Sequence, residues 1–139
     1  MYMEVYNSLV SLLSSVLGHK TTNNRQLGRV GRQLFGSEFL GVFPRDKIPV
    51  FPKGKSYCII NTDTSNGAGI HWTGLACVDR RVYGYDSYGR DINKLLKVKG
   101  VVNSDMKDRE QKILDKNCGQ RVIAWLLVFK GNPKIALTI

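Results

Sequence analysis

This chain has little from which to build covalent or metal staples. It holds three cysteines and two histidines in 139 residues. No CxxC and no HxxxH spacing occurs among them, which excludes a disulfide framework or a structural zinc site as its organising device. Acidic residues are scarce, with 11 Asp and Glu against 21 Lys and Arg. Long apolar runs are missing too. The longest, Val122–Phe129, falls well short of the roughly 18–20 residues a membrane-crossing helix needs, so no transmembrane segment is expected. Met1–Gly18 is apolar-rich but carries Glu4 and no Lys or Arg, whereas a secretory leader opens on positive charge. The expectation is a protein that is not secreted, with Cys58, Cys77 and Cys118 as free thiols in a reducing setting.

The composition that remains is that of one folded domain. The chain is 42% hydrophobic and 23% charged, enough apolar mass for a core and too little charge for a disordered tail. A net charge of +10 draws a small protein to polyanions, nucleic acid above all. No RNP string, zinc finger or basic region followed by heptads accompanies it. DNA is therefore expected as a non-specific polyanion partner rather than as the object of a dedicated recognition motif.

Periodicity divides the chain. Val5, Leu9, Leu12, Leu13, Val16 and Leu17 follow helical spacing and predict an amphipathic helix over residues 1–18, stopped at Gly18. Residues 19–26 read as a polar linker, with Thr22 or Asn23 capping a second helix that runs to about Phe35. Pro44 and Pro49 predict an extended, looping connection over Phe39–Phe51. Strands are expected at Tyr57–Asn61, His71–Val78 and Val82–Asp86, with Asp79-Arg80-Arg81 as a hairpin turn. A short helix is expected near Asp91–Lys97. Cys118–Lys130 reads as an interior helix, because Val122–Phe129 is apolar on every side.

The chemistry begins where that interior helix begins. Cys118 in Asn117-Cys118-Gly119-Gln120 stands at a predicted helix N-terminus, where unpaired N–H groups and the helix dipole favour a thiolate. Gly119 leaves backbone room for a substrate carbonyl. A cysteine in this setting is either a nucleophile or a small buried hydrophobe. A nucleophile needs a base, and His71 is the histidine placed on a strand. If Asp79-Arg80 closes a two-residue turn, His71 faces Tyr88 and Asp86 faces Thr73. Asp86 is then a diagonal neighbour of His71 on one sheet face, about 7–8 Å away at the backbone. An aspartate there could hold the imidazole's tautomer. A turn one residue longer would put it on the other face. Gln111, upstream of Cys118, is either a solvated side chain or an amide donor for an oxyanion.

His71, Asp86, Gln111 and Cys118-Gly119, in that order, resemble the adenovirus maturation protease family (adenain), with relatives in virophages and Maverick/Polinton elements, and the wider clan of SUMO-specific proteases. Phe39-Leu40-Gly41-Val42-Phe43, Ile59-Ile60-Asn61-Thr62, Gly69-Ile70-His71-Trp72 and Tyr85-Asp86-Ser87-Tyr88-Gly89 are similar to that family's motifs, over about residues 21–130. The resemblance implies an α+β fold, with a small mixed β-sheet packed on a central helix that carries the nucleophilic cysteine. It implies a protease domain over residues 21–139 preceded by an amphipathic helical extension over 1–20. It assigns Cys118 as nucleophile, His71 as base, Asp86 as its orienting acid and Gln111 as oxyanion donor, with Gly69, Trp72 and Gly119 along the substrate groove. The implied activity is cysteine endopeptidase cleavage of viral capsid and core precursor proteins at glycine-containing sites, in the virion and the host-cell interior. No metal or cofactor is required, and DNA enters as a possible activator. Two alternatives stand beside it: a protease for ubiquitin-like proteins, and a non-catalytic basic nucleic-acid-binding virion protein with this fold.

Overall fold

The computed structural model describes residues 2–18, 22–67, 71–106, 110–111 and 116–139. Two local signals start the fold as expected. Helix α1 covers Tyr2–Leu17. Helix α2 covers Asn24–Phe35 and begins with a capping box, in which the Asn23 side chain accepts from Gln26 N and the Gln26 side chain accepts from Asn23 N. That reciprocal pair satisfies two backbone donors at the helix start. Strand β1 then spans Phe39–Pro44. The proline-bearing connection expected over Phe39–Phe51 is thus half strand. Its partner is β2 (Lys55–Asn61), in parallel pairing with Phe43 beside Ile60. A proline is tolerated at Pro44 because β1 lies at the sheet edge.

Strands β3 (Trp72–Val78) and β4 (Arg81–Tyr85) form the expected hairpin. Asp79 and Arg80 take φ of 49° and 71°, the left-handed conformation that a tight hairpin turn demands. Neither is glycine, and the turn is braced from outside. Asp79 N donates to Gly54 O at 2.9 Å, and Gly54 N donates to Asp79 Oδ1 at 3.2 Å. Val78 therefore pairs with Arg81 and Gly74 with Tyr85, the register expected from a two-residue turn. Helix α3 (Ile92–Leu96) starts at an Asp91 cap, and β5 (Val102–Asn103) adds a short parallel edge to β4. The sheet order is β1-β2-β3-β4-β5. Helix α4 (Cys118–Gly131) and the short α5 (Pro133–Ala136) complete the chain. The fold is thus α+β with a five-stranded mixed sheet. Among the described residues no helix is long and apolar enough to cross a membrane.

Alternation along the strands supplies two core layers. Tyr57, Ile59, Ala76 and Tyr85 pack with Val122, Ile123, Trp125, Leu126 and Phe129 of α4. Cys58, Ile60 and Leu75 point to the other face, against Ile92 and Leu96. Period-two alternation with both faces covered explains why β2 and β3 read as nearly continuous apolar runs. Gly74 lets α4 come close, since a side chain there would meet Val122 at 2.9 Å.

The buried face of α1 differs from the expected one. Val5, Leu12 and Val16 are exposed, while Tyr6, Val10, Leu13 and Ser14 are buried. Two neighbouring apolar stripes run along this helix, and helical spacing alone does not choose between them. The choice falls to Tyr6, whose hydroxyl lies 2.6 Å from that of Tyr85 and 3.3 Å from Arg121 Nη1. Helix α1 thus shares one core with α4 and the sheet. Replacing Tyr6 by Phe should cost about 1–2 kcal/mol, because it strands the buried Tyr85 hydroxyl. Urea denaturation measures it, and an unchanged midpoint would show that the hydroxyl pair does not anchor α1.

Candidate active site

His71 immediately precedes β3, where its carbonyl accepts from Thr62 N at 2.9 Å. Asp86 immediately follows β4. The hairpin register brings the two together, with His71 Nε2 2.6 Å from Asp86 Oδ1. Both are buried, and the aspartate side chain is fully so. A buried carboxylate needs several donors. Asp86 Oδ2 accepts from Arg90 N at 3.0 Å and from Arg90 Nε at 2.8 Å. The turn 86–89 closes with Gly89 N donating to Asp86 O. Gly89, at φ 70°, supplies the positive φ that swings Arg90 back over the carboxylate.

Cys118 opens α4 and is buried. Its thiol hydrogen-bonds the His71 imidazole. With Nε2 engaged by Asp86, Nδ1 is the ring nitrogen left for the sulfur. Asn117 makes no capping bond, and its Oδ1 accepts from Arg121 Nε at 3.0 Å instead. Backbone N–H groups in a helix's first turn suit developing negative charge.

Electrostatics follow from this line of groups. Burial pushes the His71 pKa down, but hydrogen bonds to Asp86 and Cys118 and the charges of both groups outweigh it. The imidazole ends above its ordinary value of 6.5. Burial pushes Asp86 up, and the hydrogen bonds and charges of His71 and Arg90 outweigh that, bringing it from 3.8 to about 2. The stabilisation from Asp86 is therefore complete above its unfolded value and is lost as pH falls through about 2. That from His71 is complete below 6.5 and is lost as pH rises through its raised value. Burial raises the thiol pKa of Cys58 and of Cys77, which leaves those two thiols unreactive.

The other candidates are distributed around this line. Gln111 is buried beside Ser87, the residue after Asp86. Ser87 Oγ donates to Gln111 Oε1 at 2.5 Å, and Gln111 N donates to Ser87 O at 3.0 Å. The first bond turns the donating Nε2 end of the amide away from Ser87. Trp72 Nε1 donates to Thr22 O at 3.1 Å, which ties the residue after His71 to the chain entering α2. At Gly119 the side facing α2 is filled, because a side chain there would collide with Thr22 and Leu27. Gly69 lies outside the described residues. Among the described residues no group of His, Cys, Asp and Glu could hold a metal ion.

Arg90 escaped the sequence reading, whereas Tyr88 was expected to face His71 and lies against it. The Tyr88 ring lies 4.9 Å from the imidazole, and the Arg90 guanidinium lies 5.0 Å from the Tyr88 ring centre. A signal existed in Asp86-Ser87-Tyr88-Gly89-Arg90, because a glycine-bearing turn can return a cation to a carboxylate four residues back. No protein-family model matches this chain, and no curated protein sequence matches it.

Two outcomes test the arrangement. Asp86→Asn removes the main upward push on His71, so burial should carry the imidazole below 6.5. NMR titration of the ring protons reads the value directly, and a wild-type value below 6.5 would contradict the geometry. Gly119→Ala gains about 1 kcal/mol of helix propensity but overpacks against Thr22 and Leu27, at a cost of about 1–3 kcal/mol. It should therefore melt lower than wild type. Gly131→Ala, with open space around it, should melt at or above wild type.

Proposed function

We propose that this chain is a cysteine endopeptidase of the adenain type, which matures capsid or core precursor proteins of a virus or virus-like element. The observation that carries the reading is the continuous line of contacts from Cys118 to His71 to Asp86. A thiol, an imidazole and a buried carboxylate in that order form the minimal device for thiolate attack on an acyl group. The ordered motifs from Phe39 to Cys118 support the family, and the narrow groove of its members supports cleavage near glycine. The net charge of +10 supports DNA as a polyanion partner or activator. On this reading the enzyme works in the virion and the host-cell interior.

The cycle draws on protein groups and water. His71 Nδ1 takes the Cys118 proton, and the thiolate forms a C–S bond to the scissile carbonyl carbon. The carbonyl oxygen becomes an oxyanion, held by backbone N–H groups at the start of α4 and by the Gln111 amide. Collapse of this intermediate breaks the C–N bond, and the imidazolium protonates the departing amine. Water then attacks the thioester with His71 as base. The C–S bond breaks, the product acid leaves and the thiol is restored. Asp86 keeps Nε2 as the donor and stabilises the imidazolium between the two halves. Arg90 holds Asp86 and so acts as a positioning residue.

A peptide electrophile ending in glycine tests the reading. It should label Cys118 and spare Cys58 and Cys77, as mass spectrometry of the digested protein will show. His71→Ala should slow labelling by about 10²–10⁴-fold. Equal labelling of all three thiols, indifferent to His71, would leave the basic virion protein without enzymatic activity. Incubation with co-encoded virion proteins, and in parallel with a ubiquitin-like fusion, identifies the substrate class from the cut sites.

A further inference from the structure

Helix α2 carries a second chemistry. Arg25, Arg29 and Arg32 recur at the spacing of neighbouring helical turns and, with Asn24, Gly28 and Val42 of β1, line a pocket of ≈ 530 Å³. That volume lies within the roughly 300–1,000 Å³ of small-ligand sites. None of His71, Asp86, Gln111 or Cys118 lines it, so the argument stands apart from the proposed activity.

Three observations mark the pocket as built for an anion. Among the described residues no ion pair engages any of the three arginines. Cations at i, i+3 and i, i+4 repel one another on a helix, and Arg25 stands in the first turn, where the helix dipole disfavours a cation. This arrangement is unfavourable until a multiply charged anion enters. Gly28 is the third observation. It weakens the interior of a short helix, yet a side chain there would press on Arg32 Nη1 at 3.0 Å. The glycine thus clears the space in which the Arg32 guanidinium folds back along α2.

We propose that this pocket binds a compact cluster of phosphate groups. Each guanidinium offers a planar fork that matches two phosphate oxygens. The three arginines rise along the helix by about 6 Å and then about 4.5 Å, which suits adjacent phosphates better than a single one. A phosphate monoester carries close to two charges where a carboxylate carries one, so the phosphate cluster satisfies the arginines with fewer groups. The same chemistry is presented by a free polyphosphate compound and by a nucleic-acid backbone.

Fluorescence anisotropy with a labelled single-stranded oligodeoxynucleotide, and calorimetry with inorganic tripolyphosphate, test the proposal on the full chain carrying Cys118→Ala. Both measurements are independent of activity. The triple variant Arg25→Gln, Arg29→Gln, Arg32→Gln should lose tripolyphosphate affinity by at least about tenfold. A control that removes the same charge from exposed Lys53, Lys94 and Lys99 should keep it. Should the triple variant fold poorly, the pair Arg25→Gln, Arg29→Gln should show a smaller loss in the same direction. If the oligonucleotide is displaced by tripolyphosphate and its salt slope falls by about 2 in the triple variant, the phosphates come from nucleic acid. If oligonucleotide binding survives the triple variant while tripolyphosphate binding is lost, they come from a free compound. Equal losses in the lysine control, no saturable binding of either probe, or tighter binding of a polyglutamate peptide than of tripolyphosphate would overturn the assignment.

Discussion

Asp79 and Arg80 both hold left-handed backbone, and that turn sets the register in which Gly74 pairs with Tyr85. The candidate site descends from this register. Side chains alternate between faces along a strand, so one residue more in the turn would send Asp86 to the far side of the sheet. His71 would then lose its partner. The strain of two non-glycine residues at positive φ is offset by the bonds that Gly54 makes to Asp79.

Helix α4 supplies the second half of the arrangement. Its apolar body lies against the sheet where Gly74 gives it room, and Trp125 stacks on Tyr85. Packing fixes the helix along its length, and its N-terminus is then delivered beside His71. Gly119 extends the close packing to Thr22 and Leu27. The chain entering α2 also accepts the indole N–H of Trp72. Cys118, His71 and the entrance to α2 are therefore joined through Gly119, Trp72 and Thr22.

Charge is distributed with the same economy. Asp86 is satisfied by His71 and by an arginine that follows it in the same turn. On α2 the excess of Arg concentrates beside a pocket. The single protein thus separates a neutralised buried cluster at the sheet end from an unneutralised cationic cluster on a helix face. Burial forces pairing in the first, where an isolated charge would be costly. Solvent tolerates the second until a ligand arrives.

Local chemistry was readable wherever it depends on near neighbours in the chain. The cap at Asn23, the two-residue turn and the all-round apolarity of Val122–Phe129 each encode a short-range preference, and each element formed as expected. Even the approach of His71 to Asp86 follows from turn length and strand alternation. Other features were settled by contacts between distant segments. Strand β1 needed β2 beside it before Pro44 became tolerable at an edge. Helix α1 carried two apolar stripes, and the Tyr6–Tyr85 hydroxyl pair chose between them. The meeting of Cys118 with His71 depends on how deeply α4 seats against Gly74. Periodicity and capping are properties of a few consecutive residues and survive in the sequence. The seating of one surface on another depends on volumes from both, and only the packed structure contains it.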